Sequence, residues 1–313
     1  MADLSTTSAG LSPVLIALRT CIIVFLGLLI VAGNILSISV TRRVTNLADS
    51  TKILMTTLAA YDLLVGLLSL LNSVTSGLNR WPYGDIGCTI ASYCMNTILC
   101  MSMYSIICLN VDRYIAITKP YKFPVWCTKQ RVIILVVSLS VLSLLSSGAN
   151  PLVFGVHAQY FPGPAMCFFD SNSNEVNVVG LLLIDTIPTL VMTGLYYRII
   201  RISRQHELRE NRNQNQGNNI TREHKALKTF LVVTLTFSAC YTPFAMLRIV
   251  EGFTGWITPD WLDILTVCLL YSNSAFNVFI YCLFNQAYRQ TAKKIITERL
   301  PCLKRSTVAP VNI

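Results

Sequence analysis

Seven apolar runs follow one another along the chain, each long enough to cross about 30 Å of hydrocarbon as an α-helix. A helix pairs its own backbone N–H and C=O groups, which lipid cannot do. With 53% hydrophobic and 13% charged residues, the composition is too apolar for an ordinary soluble domain. The sequence therefore predicts an all-α membrane protein with a seven-transmembrane helix bundle over 14–284. Its spans are residues 14–40, 53–78, 86–117, 131–155, 176–199, 225–250 and 260–284.

The basic residues mark one side of this bundle. A net charge of +10 could indicate nucleic-acid binding, but all except Arg19, Arg80 and Arg248 lie in inner loops or the tail. Cytoplasmic segments carry such an excess. We therefore predict an extracellular N-terminus at 1–13 and a cytoplasmic tail at 285–313, in a multi-pass plasma-membrane protein without nucleic-acid partners. The first run could be a signal peptide, but its length and the six runs after it favour a retained helix.

Both ends of the predicted bundle carry further signals. Of eleven cysteines, only Cys88 and Cys167 lie on the outer side, where disulfides form, so one bridge between them is the economical interpretation; the alternative is two free thiols. On the inner side, residues 285–300 combine an apolar face with basic flanks, as in a short amphipathic interfacial helix. Cys302 follows as a candidate for palmitoylation. A solvated basic tail is the alternative.

Two polar clusters stand inside the apolar runs. Asp62 lies in the second span, at a depth shared by Asn34, Ser102, Asn273, Ser274 and Asn277. One carboxylate among such oxygens suits a sodium ion; the alternative is a protonated Asp62 in a hydrogen-bond network. At the inner end of the third span stands Asp112–Arg113–Tyr114. Arg113 could pair with Glu223 as a two-state latch between helices, or could simply anchor the helix at the interface.

Prolines inside the fifth and sixth spans predict hinges. Pro188 and Pro243 each remove a backbone hydrogen bond in mid-helix, which bends the helix, although proline is also common in ordinary membrane packing. Phe237 and Tyr241 lie on the turns before Pro243.

Together these fragments resemble the rhodopsin-like (class A) family of G-protein-coupled receptors. The resemblance covers all seven spans in order, and the DRY motif followed by a KP turn is its most specific part. The matching elements are Gly33–Asn34, LAAYD ending at Asp62, Cys88 with Cys167, DRYIAITKPYKFP at 112–124, Ile187–Pro188 with Tyr196, FSACYTP at 237–243 and NSAFNVFIY at 273–281.

The resemblance implies roles for these residues. Arg113 would engage the G protein, Glu223 would be its latch partner, and Tyr121 would insert into the G protein from the second inner loop. Tyr196 and Tyr281 would stabilise the active state near Arg113. The family's sodium pocket is matched in full by Asp62, Ser102, Asn273, Ser274 and Asn277.

Four departures from the family pattern concern the switch and the ligand. Val278 replaces the seventh-span proline, and Tyr241 replaces the usual tryptophan below the ligand. The fourth span lacks its customary tryptophan. Met95 replaces the aspartate that binds amines, and Tyr271 stands where opsins carry the retinal lysine.

The predicted function is transduction of an extracellular ligand into activation of a heterotrimeric G protein, without enzymatic chemistry or a covalent cofactor. Candidate pocket residues are Met95, Asn96, Asp185, Arg248 and Tyr271. Asp185 and Arg248 could pair with each other or bind a polar ligand. The alternatives are a transporter and a partner receptor that binds no ligand itself.

Overall fold

The computed structural model describes residues 11–45, 47–154, 157–170, 217–256 and 258–299, with short pieces between 190 and 201; for 149–154 and 217–231 only the backbone is described. Among these residues, six helices are long and apolar enough to cross a membrane. Most of the predicted fifth span, including Pro188 and Tyr196, lies outside the described residues. So do Asp185, the Glu223 side chain and Cys302.

Eight helices and one hairpin make up the described part of the chain. The helices are α1 (Pro13–Arg43), α2 (Asp49–Leu78), α3 (Gly84–Thr118), α4 (Phe123–Trp126), α5 (Lys129–Phe154), α6 (Gly217–Thr254), α7 (Asp260–Phe284) and α8 (Gln286–Arg299). Strands β1 (His157–Phe161) and β2 (Met166–Asp170) lie between α5 and α6.

Local sequence explains where the first helix begins and ends. The hydroxyl of Ser12 accepts the Leu15 N–H at 3.3 Å, and Pro13 occupies the first turn, where its missing N–H costs nothing. Arg42 and Arg43 occupy the last turn, where positive charge favours a helix C-terminus.

Glycines bring α1 and α2 into close contact. A Cβ added at Gly27 would lie 2.7 Å from the Ser69 hydroxyl, and one added at Gly66 would lie 2.9 Å from Ile30 Cγ2. Small residues let helix backbones approach closely in membranes, where packing rather than the hydrophobic effect joins helices.

The outer surface of the bundle is apolar, as lipid contact requires. Phe25 and Leu145 each expose 66% of their surface, and many other leucines and valines lie on the same outward faces. The interior instead collects polar side chains, among them Asp62, Asn34 and Ser102. The candidate site residues therefore lie inside the bundle, away from the lipid-facing surface.

The outer loop between α5 and the fifth span contains an antiparallel hairpin, which the sequence analysis did not predict. Its register pairs Tyr160 with Cys167 and Phe161 with Met166, and residues 162–165 form the turn. Cys167 forms the predicted disulfide with Cys88 at the start of α3, with a Cα–Cα distance of 5.5 Å.

A short helix follows the seventh span, as predicted. The Asn285 side chain accepts the Tyr288 N–H at 3.1 Å, so α8 begins in a new direction after α7. Tyr288, Ala292 and Ile295 are buried on one face of α8. Arg43 and Glu298 form an exposed ion pair at 2.6 Å, and this hydrogen bond lowers the pKa of Glu298.

Candidate functional site

Asp62 is the centre of a polar cluster in the inner half of the bundle. Its side chain is fully buried and accepts hydrogen bonds from three residues on two other helices. Ser102 and Ser274 donate to Oδ1 at 3.0 and 2.9 Å, and Asn277 donates to Oδ2 at 2.8 Å. The carboxylate therefore connects α2 to α3 and α7 through hydroxyl and amide donors. All three donor residues were candidate site residues in the sequence.

Two asparagines complete this cluster. Asn34 on α1 donates to the Ser274 carbonyl at 3.1 Å, so α1 is joined to α7 beside Asp62. Among the described residues, the buried Asn273 Oδ1 has no hydrogen-bond partner. A buried carbonyl oxygen without a donor is costly unless a cation or water uses it. The donor set therefore fits a sodium ion, which needs oxygens but not several carboxylates.

At the inner end of α3, Arg113 donates hydrogen bonds to side chains of α2 and of α3 itself. It donates to Asp112 Oδ2 at 2.6 Å and to the Thr51 hydroxyl of α2. Thr51 in turn donates to the same Asp112 oxygen at 2.8 Å. The three side chains form a closed triangle, and sequence reasoning missed Thr51 because nothing in its local sequence marks a partner 61 residues from Asp112.

The segment between α3 and α4 exposes Tyr121. This side chain is 95% exposed and lies two residues before α4. A large aromatic residue so exposed is available to a partner protein.

Phe237 and Tyr241 lie one turn apart on α6, before Pro243. Their rings stack with centroids 5.1 Å apart, and both are buried. Pro243 is inside the continuous helix α6, where it removes one backbone hydrogen bond.

The seventh span is a continuous helix through Val278. Val278 and Gly33 are in close contact, since a Cβ at Gly33 would lie 3.4 Å from Val278 Cγ2. On the same helix, the buried Tyr281 ring lies 5.6 Å from that of Tyr288 on α8.

The outer half of the bundle holds a cleft under the hairpin. It is lined by Leu68, Asn72, Ala91, Met95, Met166 and Cys167. Asn72 donates to the Tyr271 hydroxyl at 3.1 Å, and Tyr271 donates to the Met166 sulfur at 3.5 Å. Met95 and Tyr271 belong to one buried cluster, whereas Asn96 points to α5 and donates to Ser147 at 3.0 Å.

Arg248 is held by carboxylates of α6 and α7. It forms ion pairs with Asp263 and, at 2.8 Å, with Glu251, and its guanidinium lies 5.5 Å from the Phe244 ring centre. Phe244 in turn lies 5.9 Å from Phe168 of β2. The sequence analysis considered Asp185 as its partner; the acids of α6 and α7 were not recognised, although Glu251 lies three residues from Arg248.

Arg19 occupies a second charged site, at the outer end of α1. It is 1% exposed and donates to Ser76 and Asn79 of α2 and to the hairpin turn. Burial raises the pKa of the neighbouring Tyr160, and the charge of Arg19 partly offsets this. Sequence reasoning recorded Arg19 only as a basic residue outside the inner loops.

The sequence model described as 7 transmembrane receptor (rhodopsin family) matches residues 33–281, most of the chain. The chain belongs to this family. It is a G-protein-coupled receptor, and like its relatives a multi-pass plasma-membrane protein rather than an enzyme.

Individual relatives agree with this assignment. Over 311 residues the receptor is 29% identical to trace amine-associated receptor 8b of Mus musculus, covering 91% of this chain and 88% of that one. It is 30% identical to the histamine H2 receptor of Homo sapiens over 296 residues, covering 90% and 80%. Squid rhodopsin has the same fold, with a TM-score of 0.79 at 17% identity over 95% of this chain and 90% of that one. The seven-helix prediction is thereby confirmed.

Proposed function

We propose that this receptor couples a ligand in its outer cleft to a heterotrimeric G protein at its inner face, with the N-terminus extracellular. The observation that carries the proposal is a cleft that Met95 and Asn72 line in the outer half of the bundle, with Asn72 hydrogen-bonded to Tyr271. The Asp62 cluster lies in the inner half of the bundle, and the Arg113 triangle lies at the inner end of α3. A ligand-dependent shift between two states requires such a chain of interacting groups between the two ends.

Helix α6 is the moving element in this proposal. Pro243 supplies the hinge, and the stacked Phe237 and Tyr241 lie between the hinge and the inner end. Outward movement of α6 separates Glu223 from Arg113 and lets the G protein reach Arg113. Tyr121, Tyr196 and Tyr281 then contact the G protein or stabilise the open state.

The Asp62 cluster would hold a sodium ion through Asp62, Ser102, Asn273, Ser274 and Asn277. When bound, the ion supplies a positive charge that neutralises the buried carboxylate. The residues themselves tie α2, α3 and α7 together, and a cation that binds this arrangement preferentially stabilises the inactive state.

The ligand differs in chemistry from amines, which family members bind through an aspartate in the third span. Similar receptors are named for trace amines and histamine. Here Met95 offers a thioether at that position, and the polar groups beside it are the neutral Asn72 and Tyr271. A buried ammonium without a carboxylate partner is unfavourable. We therefore propose a neutral, partly apolar ligand for this cleft.

A ligand screen with a G-protein readout tests the proposal. Neutral ligands should activate the wild type but not Arg113→Ala, while trace amines and histamine should give no response at equal surface expression. A Met95→Asp variant should gain amine responses, since it restores the missing carboxylate. Activation of the wild type by amines with unchanged potency in Tyr271→Phe and Asn72→Ala would contradict the proposed ligand class.

A receptor that only partners another receptor, and binds no ligand itself, would respond neither to the neutral ligands nor to the amines. Transport is not retained as an alternative, because the chain belongs to a receptor family.

A further inference from the structure

The guanidinium of Arg19 donates to neutral acceptors at two places, the end of α2 and the hairpin turn. Nε donates to the Ser76 hydroxyl at 2.9 Å, and Nη2 donates to the Ser76 carbonyl at 2.9 Å and to Asn79 Oδ1 at 3.1 Å. Nη1 donates to the Gly163 carbonyl at 3.0 Å and to the Pro162 carbonyl. All five N–H groups of the guanidinium thus donate hydrogen bonds, two to the hairpin turn and three to the end of α2.

Such deep burial is unusual for a cation near a helix end, because an arginine there could instead extend to water. Packing alone does not need one, since an apolar side chain would fill the same space at less cost in desolvation. What the guanidinium supplies is a connection between the turn at Pro162–Gly163 and the α1–α2 pair.

The turn that Arg19 holds leads directly into the cleft. Two residues lie between Gly163 and Met166, whose sulfur accepts the Tyr271 hydroxyl at 3.5 Å. One of them, Ala165, accepts the Thr75 hydroxyl with its carbonyl, and Cys167, directly after Met166, is bonded to Cys88. These contacts hold β2 on one side of Met166, and Arg19 holds the turn that leads into Met166 on the other side.

We propose that Arg19 is a positioning residue for the ligand site: by holding the hairpin turn at Pro162–Gly163, it keeps Met166 against Tyr271 over the cleft that Met95 lines. Met166 is then a specificity-determining residue, because its side chain limits the depth and shape available to a ligand beside Asn72. This inference rests on the proposed function only in treating the cleft as the ligand site.

Accessibility of the cleft tests the proposal without ligand or signalling. A cysteine is placed at Met95, and a charged, membrane-impermeant methanethiosulfonate reagent is applied from outside to the full-length receptor in cells. The rate of labelling at position 95 is followed by peptide mass mapping. Loss of several charge-assisted hydrogen bonds should favour local opening, so Arg19→Gln should raise this rate at least about tenfold.

Matched controls separate positioning from general stability. Arg80→Gln removes another outer arginine, one whose side chain is exposed, and should leave the rate unchanged. The native Cys108 in the inner half of α3 should label at its original rate in every variant. Arg19→Lys keeps the charge but not the fork, and should fall between wild type and Arg19→Gln.

Three results would overturn the proposal: an unchanged rate in Arg19→Gln, an equal increase in Arg80→Gln, or an increase at Cys108 by the same factor. Wild-type behaviour of Arg19→Lys would refute the role of the guanidinium fork. If Arg19→Gln does not reach the surface, Ser76→Ala removes the acceptor of Nε alone, and it should raise the rate several-fold; no change there would also refute the proposal.

Discussion

At the scale of single residues, the Asp62 carboxylate has the most consequential environment in the receptor. Hydrogen bonds from Ser102, Ser274 and Asn277 would stabilise its charged form, while complete burial opposes that charge. A sodium ion would resolve this opposition and would also use the unpaired Asn273 Oδ1.

Sodium should therefore raise the melting temperature of the ligand-free receptor, and Asp62→Asn should abolish the rise. Binding to the folded state alone stabilises it by about 2.7 kcal/mol when the ion is at a hundred times its dissociation constant. Thermal unfolding in sodium against an equal concentration of a large organic cation measures the effect. Asp85→Asn, an exposed outer carboxylate, is the control and should keep the full response. A sodium response that persists in Asp62→Asn would contradict the proposed site.

At the scale of elements, hydropathy predicted the spans closely because it depends on local composition. The predicted 260–284 coincides with α7, and 14–40 lies within α1. The hairpin, the Thr51 contact and the Arg19 site escaped prediction because each depends on residues far apart in sequence that the fold brings together. Motifs predicted the Asp62 cluster because the family resemblance, rather than periodicity, related its members.

Helix α7 shows how one substitution is accommodated. In a regular helix the Val278 N–H bonds to the Ser274 carbonyl, which here also accepts the Asn34 amide at 3.1 Å. A proline at 278 would remove the first bond but leave the second. Proline inside a helix usually costs about 3 kcal/mol of stability, and this cost should therefore be partly offset at this position.

Val278→Pro should accordingly fold and reach the surface with a modestly lower melting temperature. Ile280→Pro, two residues further along the same helix, is the matched control and should lose most surface expression, because no second donor to the Phe276 carbonyl is found among the described residues. Combining Val278→Pro with Asn34→Ala should remove the compensating hydrogen bond to the Ser274 carbonyl and lower the melting temperature and surface expression further. Equal losses in the two proline variants would show that Asn34 contributes nothing to proline tolerance.

At the scale of the whole molecule, the receptor connects an outer face stabilised by a disulfide and ion pairs to an inner face stabilised by ion pairs and hydrogen bonds without a covalent link among the described residues. The disulfide, the Arg19 site and the Arg248 ion pairs fix the outer end. At the inner end, Arg113 is held by Asp112 and Thr51. In the proposed function, the inner contacts exchange while the outer frame stays in place.

The proposed pair between Arg113 and Glu223 is the contact whose loss should bias this exchange. A planar guanidinium suits a carboxylate, but partial access of solvent limits such a pair to about 1 kcal/mol. A bias of that size shifts a two-state equilibrium only about five-fold, so the effect is graded rather than complete. Glu223→Gln should raise basal G-protein activation by up to that factor.

Arg113→Ala should instead lower maximal activation, since we propose that the same side chain contacts the G protein in the open state. Basal and maximal activation are measured in cells at matched surface expression, with the exposed Glu298→Gln as the control because it removes an inner acid that pairs with Arg43 rather than Arg113. If Glu223→Gln leaves basal activation at the wild-type level, the inactive state depends on other contacts. Thr51→Val would then be the decisive variant, because it opens the triangle that holds Arg113 against Asp112.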